Sequence, residues 1–257
     1  MSLLLPCLRG LRVVLHIAVG LLIVLLINLT GREKRWPVER IMSWWNAVLL
    51  DIFNIQIHVH GNRLEGARLL VANHVSWLDI SVIGSLEPTR FVAKSEIRHW
   101  PIAGALANVC GTFYIRRGKG GARPLLDKAV PHLKAGGSFV VFPEGTTTDG
   151  TSVLPFHARL FQAAIEAQCP VQPMALRFGR GVDGSSVAPF IGDDDLASHM
   201  LRLLKEPVLV VDVTYCPPIS AEGLERDTLA LAAQAAIARV VSEPLPENVP
   251  ELEALPV

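Results

Sequence analysis

The hydrophobic pattern is most continuous near the start of the chain. From Val13 to Gly31 no side chain is charged, and Val13–Leu29 is an almost unbroken apolar run. As a helix this run spans about 26 Å, slightly short of a hydrocarbon core about 30 Å thick. Arg9 and Arg12 precede it, and Arg32, Lys34, Arg35 and Arg40 follow it. A cleaved signal peptide has a shorter apolar region and a small-residue cleavage site; here the run ends in Ile-Asn-Leu-Thr-Gly-Arg. A second apolar stretch, Ile41–Ile57, contains one charge, Asp51, and is headed by Trp36, Trp44 and Trp45. Tryptophans of this kind favour the membrane–water interface. Two arrangements fit: one span with its C-terminal side inside, or a pair of helices dipped into a single leaflet.

Beyond Ile57 the pattern changes to short apolar runs alternating with amphipathic ones. Strands are predicted over 69–72, 91–93, 112–115, 138–142, 171–178 and 208–215. Helices are predicted over 76–86, 101–109, 124–134, 156–167, 194–204 and 224–241. The helix over 124–134 places Leu125, Leu126, Ala129 and Leu133 on one face and stops at Gly136-Gly137. This alternation predicts an α/β fold, with a mostly parallel central sheet flanked by helices and an N-terminal apolar membrane-anchoring helix or helix pair. The expected organisation is an anchor over 1–54, a catalytic body over 55–242, and a loose acidic, proline-rich tail over 243–257.

Composition narrows the function classes. Lys+Arg and Asp+Glu are both 24, so the net charge is zero and a nucleic-acid partner is not expected. Half of the 257 residues are hydrophobic and 19% are charged, which excludes disorder for most of the chain. Charge is segregated: residues 1–50 carry +4 and the remainder −4, a balance that suits a basic anchor on anionic lipid. The four cysteines are scattered and form no CxxC pair. They read as reduced, mostly core residues of a cytoplasmic-facing protein.

Three segments carry candidate chemistry. In Asn73-His74-Val75-Ser76-Trp77-Leu78-Asp79, His74 and Asp79 meet only if His74 lies on the turn before the helix and Asp79 in its first turns. Asp79 would then hold Nδ1–H and leave Nε2 free as a base. In Phe142-Pro143-Glu144-Gly145-Thr146, Glu144 falls at the C-terminal end of a strand, where open α/β sheets bind ligands. Gly111–Arg117 runs from a strand into Arg116 and Arg117, of which at most one faces the site. The run Asp193-Asp194-Asp195 reads as a cap on the following helix, and no metal ligand set is expected.

Together these blocks resemble the PlsC-type glycerolipid acyltransferases, which include the 1-acylglycerol-3-phosphate acyltransferases. Asn73-His74 with Asp79 matches that family's NHxxxxD block, Gly111–Arg117 its GxxFIxR block with Arg117 in the arginine slot, and Phe142–Thr146 its FPEGT block. Val171–Leu176 is similar to its proline-containing strand, and Val92-Ala93-Lys94-Ser95-Glu96 to the segment between the first two blocks. The family often has Arg after FPEGT, where Thr147 stands here. It also often has Lys-Gly-Ala after a following Pro-Phe, where His157-Ala158-Arg159 stands here.

The resemblance implies O-acyl transfer from acyl-CoA or acyl carrier protein to a lysolipid hydroxyl, with no further cofactor. In this scheme His74 is the base and Asp79 its orienting partner. Arg117, with Lys94 as a second candidate, binds the acceptor phosphate. Glu144, Gly145 and Thr146 shape the acceptor pocket, and backbone N–H groups near the helix start hold the oxyanion. The expected partners are membrane lipids, the lysolipid acceptor and the acyl donor, at the cytoplasmic face of the inner membrane. Three readings compete: acylation of 1-acylglycerol-3-phosphate, acylation of another lysolipid such as lyso-ornithine lipid, and lipid binding without turnover.

Overall fold

The structure, a computed structural model, describes residues 4–30, 36–115 and 123–244. Two helices lead, α1 (Leu4–Thr30) and α2 (Val38–Phe53), followed by β1 (Ile55–Gly61), β2 (Arg68–Ala72) and α3 (Leu78–Leu86). Next come β3 (Arg90–Lys94), a 3₁₀ turn over Ser95–His99, α4 (Ala103–Val109), β4 (Phe113–Ile115), α5 (Arg123–Lys134) and β5 (Ser138–Val141). A second 3₁₀ turn over Ala158–Phe161 leads into α6 (Gln162–Ala167) and β6 (Val171–Phe178). The chain finishes with α7 (Leu196–Lys205), β7 (Leu209–Tyr215) and α8 (Arg226–Ser242).

The seven strands form one sheet in the order β1-β7-β6-β2-β5-β3-β4. All neighbours are parallel except β6 and β7, so the predicted mostly parallel, helix-flanked sheet is what forms. Central β2 is buried at every position, because a strand covered on both faces needs apolar side chains on both. Leu70 and Ala72 face a core shared with α2, α3 and α7, while Leu69 and Val71 face a core shared with α5, α6 and α8.

The second apolar stretch is not one element. α2 ends at Phe53, Asn54 takes a left-handed conformation (φ 54°), and the chain turns into β1. The alternation of Ile55, Ile57 and Val59 with Gln56, His58 and His60 is the period-two signal of this strand, and the run of apolar residues before it conceals it. The helix expected over 156–167 is likewise divided into the 3₁₀ turn and α6. Asp195 caps α7, accepting from the Ser198 N–H at 2.9 Å.

α1 lies against the body along its whole length. Its buried stripe is Arg9, Val13, His16, Gly20, Val24 and Ile27. The Arg9 guanidinium donates to the carbonyls of Leu204, Glu206 and Pro207. His16 stacks on Trp45 with ring centroids 4.4 Å apart. At Gly20 an added Cβ would stand 2.9 Å from Trp45 Nε1 and 3.2 Å from Leu106, so the glycine permits the close approach of α2 and α4. Most of the remaining α1 surface is exposed leucine and valine, for example Leu8, Leu11, Leu15, Leu22 and Leu29. α2 buries Leu49, Leu50, Ile52 and Phe53 in the same core as the sheet.

Candidate active site

Three loops meet at the C-terminal end of the parallel strands. After β2 the chain runs through Asn73–Trp77 into α3. Asn73 is fully buried and latches onto β6: its Nδ2 donates to Leu176 O at 2.9 Å, and its Oδ1 accepts from Leu176 N at 2.8 Å. That double bond continues the sheet pairing by one side chain and sets where His74 begins.

His74 lies on the turn and Asp79 in the first turn of α3, the placement their spacing requires. Nδ1 of His74 is 2.7 Å from Asp79 Oδ2. The same oxygen accepts the backbone N–H of Val75 at 2.7 Å and of Ser76 at 2.9 Å. An ionised carboxylate only accepts, so Nδ1 carries the ring proton and Nε2 is left as the basic nitrogen. The His74 ring stacks on Phe142, centroids 4.1 Å apart at 15°. Its side chain is 20% exposed while Asp79 is wholly buried. One face and one edge of the imidazole are therefore fixed, and the remaining edge is reachable.

Glu144 comes from the loop after β5 and is buried. Its Oε1 accepts the His74 N–H and its Oε2 the Leu154 N–H, each at 2.8 Å. Burial pushes its carboxyl up, and the two backbone donors pull it back. Both oxygens are spent on the protein's own backbone, so Glu144 ties two loops together. Gly145 sits at φ 70°, where an added Cβ would meet His157 Nε2 at 3.1 Å. Gly145 and Thr146 are exposed beside it. Thr147 donates its hydroxyl to Phe190 O, Thr148 N donates to His74 O at 2.8 Å, and Phe190 N donates to Val75 O at 2.9 Å.

His74, Asp79 and Glu144 are thus brought into direct contact, with Gly145 and Thr146 on the same loop. Lys94 ends β3, separated from β2 by β5, and is exposed. Arg116 and Arg117 lie outside the described residues. One expectation changes: the N–H groups of His74, Val75 and Ser76 are taken by Glu144 and Asp79, so these three are not free to hold an oxyanion. Sequence reasoning also missed Phe142 as the stacking partner and Asn73 as a latch, although both stand inside the quoted blocks. Among the described residues there is no cluster of His, Cys, Asp and Glu able to hold a metal ion.

The family model described as Acyltransferase matches residues 55–177. The chain is 41% identical over 234 residues to a Pseudomonas aeruginosa protein named lyso-ornithine lipid O-acyltransferase, covering 90% of this chain and 91% of that one. The chain belongs to the acyltransferase family. This acyltransferase is also 33% identical over 210 residues to the lyso-ornithine lipid O-acyltransferase of Brucella abortus, covering 76% and 78% of the two chains. To the 1-acyl-sn-glycerol-3-phosphate acyltransferase of Neisseria gonorrhoeae it is 34% identical over 177 residues, covering 68% and 69%. The crystal structure of PlsC from Thermotoga maritima superposes with a TM-score of 0.62 at 19% identity, covering 91% of this acyltransferase and 96% of that chain. At that identity the likeness speaks for the fold alone. The acyltransferase is an enzyme, and the reading as a lipid binder without turnover falls away.

Proposed function

We propose that this acyltransferase esterifies the free hydroxyl of lyso-ornithine lipid, with His74 as general base. The 2.7 Å contact between His74 Nδ1 and Asp79 carries the chemistry. The acceptor hydroxyl oxygen attacks the thioester carbonyl of acyl-CoA or acyl carrier protein while its proton passes to His74 Nε2. Asp79 holds Nδ1–H and stabilises the imidazolium. The tetrahedral intermediate collapses, the C–S bond breaks, and the departing thiolate takes the proton back from Nε2. The products are the ester and a free thiol, with no acyl-enzyme and no metal step. Glu144 acts as a strut that sets the height of the His74 backbone; Gly145 and Thr146 border the acceptor.

The acceptor is argued from similarity spanning nearly the full length of the Pseudomonas aeruginosa lyso-ornithine lipid O-acyltransferase. Thr147 adds to it: its hydroxyl is engaged with Phe190 O, so this position offers no cation to a phosphate. The second reading, acylation of 1-acylglycerol-3-phosphate with Arg117 and Lys94 on the phosphate, is favoured by the Neisseria relative.

The anchor is read as lying within one leaflet at the cytoplasmic face of the inner membrane. α1 is long and apolar enough to cross. Its buried stripe is nevertheless occupied by α2, α4 and α7 from Arg9 to Ile27, and a crossing would draw those elements into lipid with their charged side chains. An in-plane helix buries its apolar outer face without that cost.

The test is an acyl-transfer assay on the full chain, with lyso-ornithine lipid and 1-acylglycerol-3-phosphate as acceptors and acyl-CoA and acyl carrier protein as donors. Preference for lyso-ornithine lipid is expected. A higher kcat/KM on 1-acylglycerol-3-phosphate would replace this reading with the second.

A further inference from the structure

The segment Arg98-His99-Trp100-Pro101-Ile102-Ala103 leads from the 3₁₀ turn after β3 into α4, and all six residues are exposed. Trp100 is 56% exposed and Ile102 46%. Their backbone is nevertheless fixed. Trp100 N donates to Ile97 O at 3.0 Å, Gly104 N to Trp100 O at 2.9 Å, and Leu106 N to Ile102 O at 3.1 Å. At Gly104 an added Cβ would stand 2.4 Å from Arg98 O and 2.7 Å from Ile97 O. The glycine therefore lets the 3₁₀ turn fold back against the start of α4, and the two large apolar side chains are held outward by that corner.

The corner adjoins α1. Leu106 of α4 meets α1 at Gly20, and Ile102 stands one helical turn before Leu106 on the same face. Trp44 is exposed and neighbours Trp45, the α2 residue that meets the same glycine. Trp44 and Ile102 thus extend onto α2 and α4 the apolar surface that Leu15, Val19 and Leu22 expose on α1. The chain around the corner is basic. Residues 90–134 carry nine Lys+Arg against two Asp+Glu, in a chain of zero net charge. Lys94 and Arg98 are exposed, the latter with its guanidinium 5.8 Å from the Tyr114 ring. Glu96, an acceptor for the Ser95 hydroxyl, is the one acidic residue from β3 to α4.

We propose that Trp100 and Ile102 are a second membrane contact, seated in the same leaflet as α1, with Arg98 on anionic lipid headgroups. The proposal rests on the reading of α1 as an in-plane helix. An indole suits this depth, because its ring is apolar and its N–H reaches the headgroup region. Cations beside an apolar tip match an anionic bilayer, which offers charge above and hydrocarbon below. The tip also borders a helix whose outer face is apolar from end to end, so one lipid surface covers both. A single helix lying in the plane leaves the body free to roll about its axis. A contact off that axis removes the freedom. The corner follows the C-terminal end of β3, and His74 stands at that same end of the parallel strands, so the roll that is fixed is the one that presents the catalytic end to the leaflet.

The test uses the full chain in phosphatidylethanolamine–phosphatidylglycerol vesicles. In a Cys7→Ser background, Leu22→Cys, Ile102→Cys and Leu231→Cys each carry a fluorescent maleimide, and quenching is read with lipids spin-labelled high or low on the acyl chain. Leu231 is exposed on α8, across the sheet from α1. Leu22 and Ile102 should both be quenched chiefly by the high label, and Leu231 by neither. Quenching at Leu22 without quenching at Ile102 overturns the proposal and leaves the in-plane reading standing. Quenching of Leu22 chiefly by the low label puts α1 across the bilayer and refutes that reading, and the proposal with it. As a second measure, Trp100→Ser with Ile102→Ser should lower kcat/KM at least about tenfold, a decade being about 1.4 kcal/mol, on whichever of the two acceptors wild type prefers when it is presented in vesicles. Turnover of a short-chain form of that acceptor in free solution should stay at the wild-type rate. An equal loss on both forms overturns the proposal in favour of a structural role. A loss confined to acyl carrier protein as donor, in vesicles and in solution alike, assigns the corner to that protein and overturns it too.

Discussion

The indole N–H of Trp77 donates to Nδ1 of His199 at 3.0 Å. Trp77 belongs to the turn between His74 and Asp79, whereas His199 sits on α7 and is wholly buried. Because Nδ1 accepts, Nε2 carries the proton and faces the carbonyls of Ala188 and Pro189, each at 3.1 Å. One imidazole thus links the active turn to the loop that borders it. Trp77→Phe removes the donor and leaves a buried nitrogen unpaired, at a cost of about 1–3 kcal/mol. Denaturant unfolding of the variant in detergent should show this loss; wild-type stability would mean the bond contributes nothing net.

The same residue gives a pH dependence of stability. Burial, with Arg202 nearby, pushes the His199 imidazole below its ordinary value of 6.5, against a weaker pull from the carbonyl contacts and Asp194. The folded state therefore holds this ring neutral where the unfolded chain has begun to protonate it. The unfolded state binds more protons in that window, so stability rises with pH there. It is complete above about pH 6.5 and declines as pH falls below it. His132, lowered chiefly by burial, adds a slope of the same sign. Melting temperature measured from about pH 5 to 7 should climb, and His199→Gln should flatten part of that climb.

His74→Ala should lower turnover by about 10²–10⁴ with a smaller drop in melting temperature than Asp79→Ala, since the side chain gives up one bond to Asp79 and its stack on Phe142. Asp79→Ala should lower both, because Asp79 also caps the N–H groups of Val75 and Ser76. Turnover near wild type in His74→Ala would rule out the general-base role.

Glu144→Gln replaces one acceptor oxygen with an NH₂ that must face a backbone N–H of His74 or Leu154. We expect a fall in kcat of about tenfold or more, since misplacing a base by about 1 Å costs on the order of 10²-fold, and an acceptor KM that moves less. A rise in acceptor KM alone would instead place Glu144 in contact with the acceptor.

The anchor makes a topological prediction. In a Cys7→Ser background, cysteines placed at Leu4 and at Thr30 mark the two ends of α1. A membrane-impermeant maleimide should reach both from the cytoplasmic side in inverted vesicles. Labelling of the two positions from opposite sides would establish a span.

By itself the sequence determined the fold class, the alternation of strands and helices, the apolar N-terminal helix, and the pairing of His74 with Asp79. All of these are local: a period of two or 3.6, a turn followed by a helix start, or residues five apart on one bend. Tertiary structure alone decided what each apolar or polar face meets. Glu144 reads as a pocket residue in sequence, yet its two oxygens are taken by His74 and Leu154 because β2 and β5 are neighbours in the sheet. α1 reads as a span or an in-plane helix, since hydropathy records that a surface is apolar and not what covers it. The contacts of Arg9 with the end of α7 favour the in-plane arrangement. β1 was hidden because its alternation follows a helix just as apolar, and only pairing with β7 separates the two. The partnership of Trp77 with His199 had no signal at all, because hydrogen-bond partners so far apart along the chain are chosen by packing, which leaves no periodicity to read.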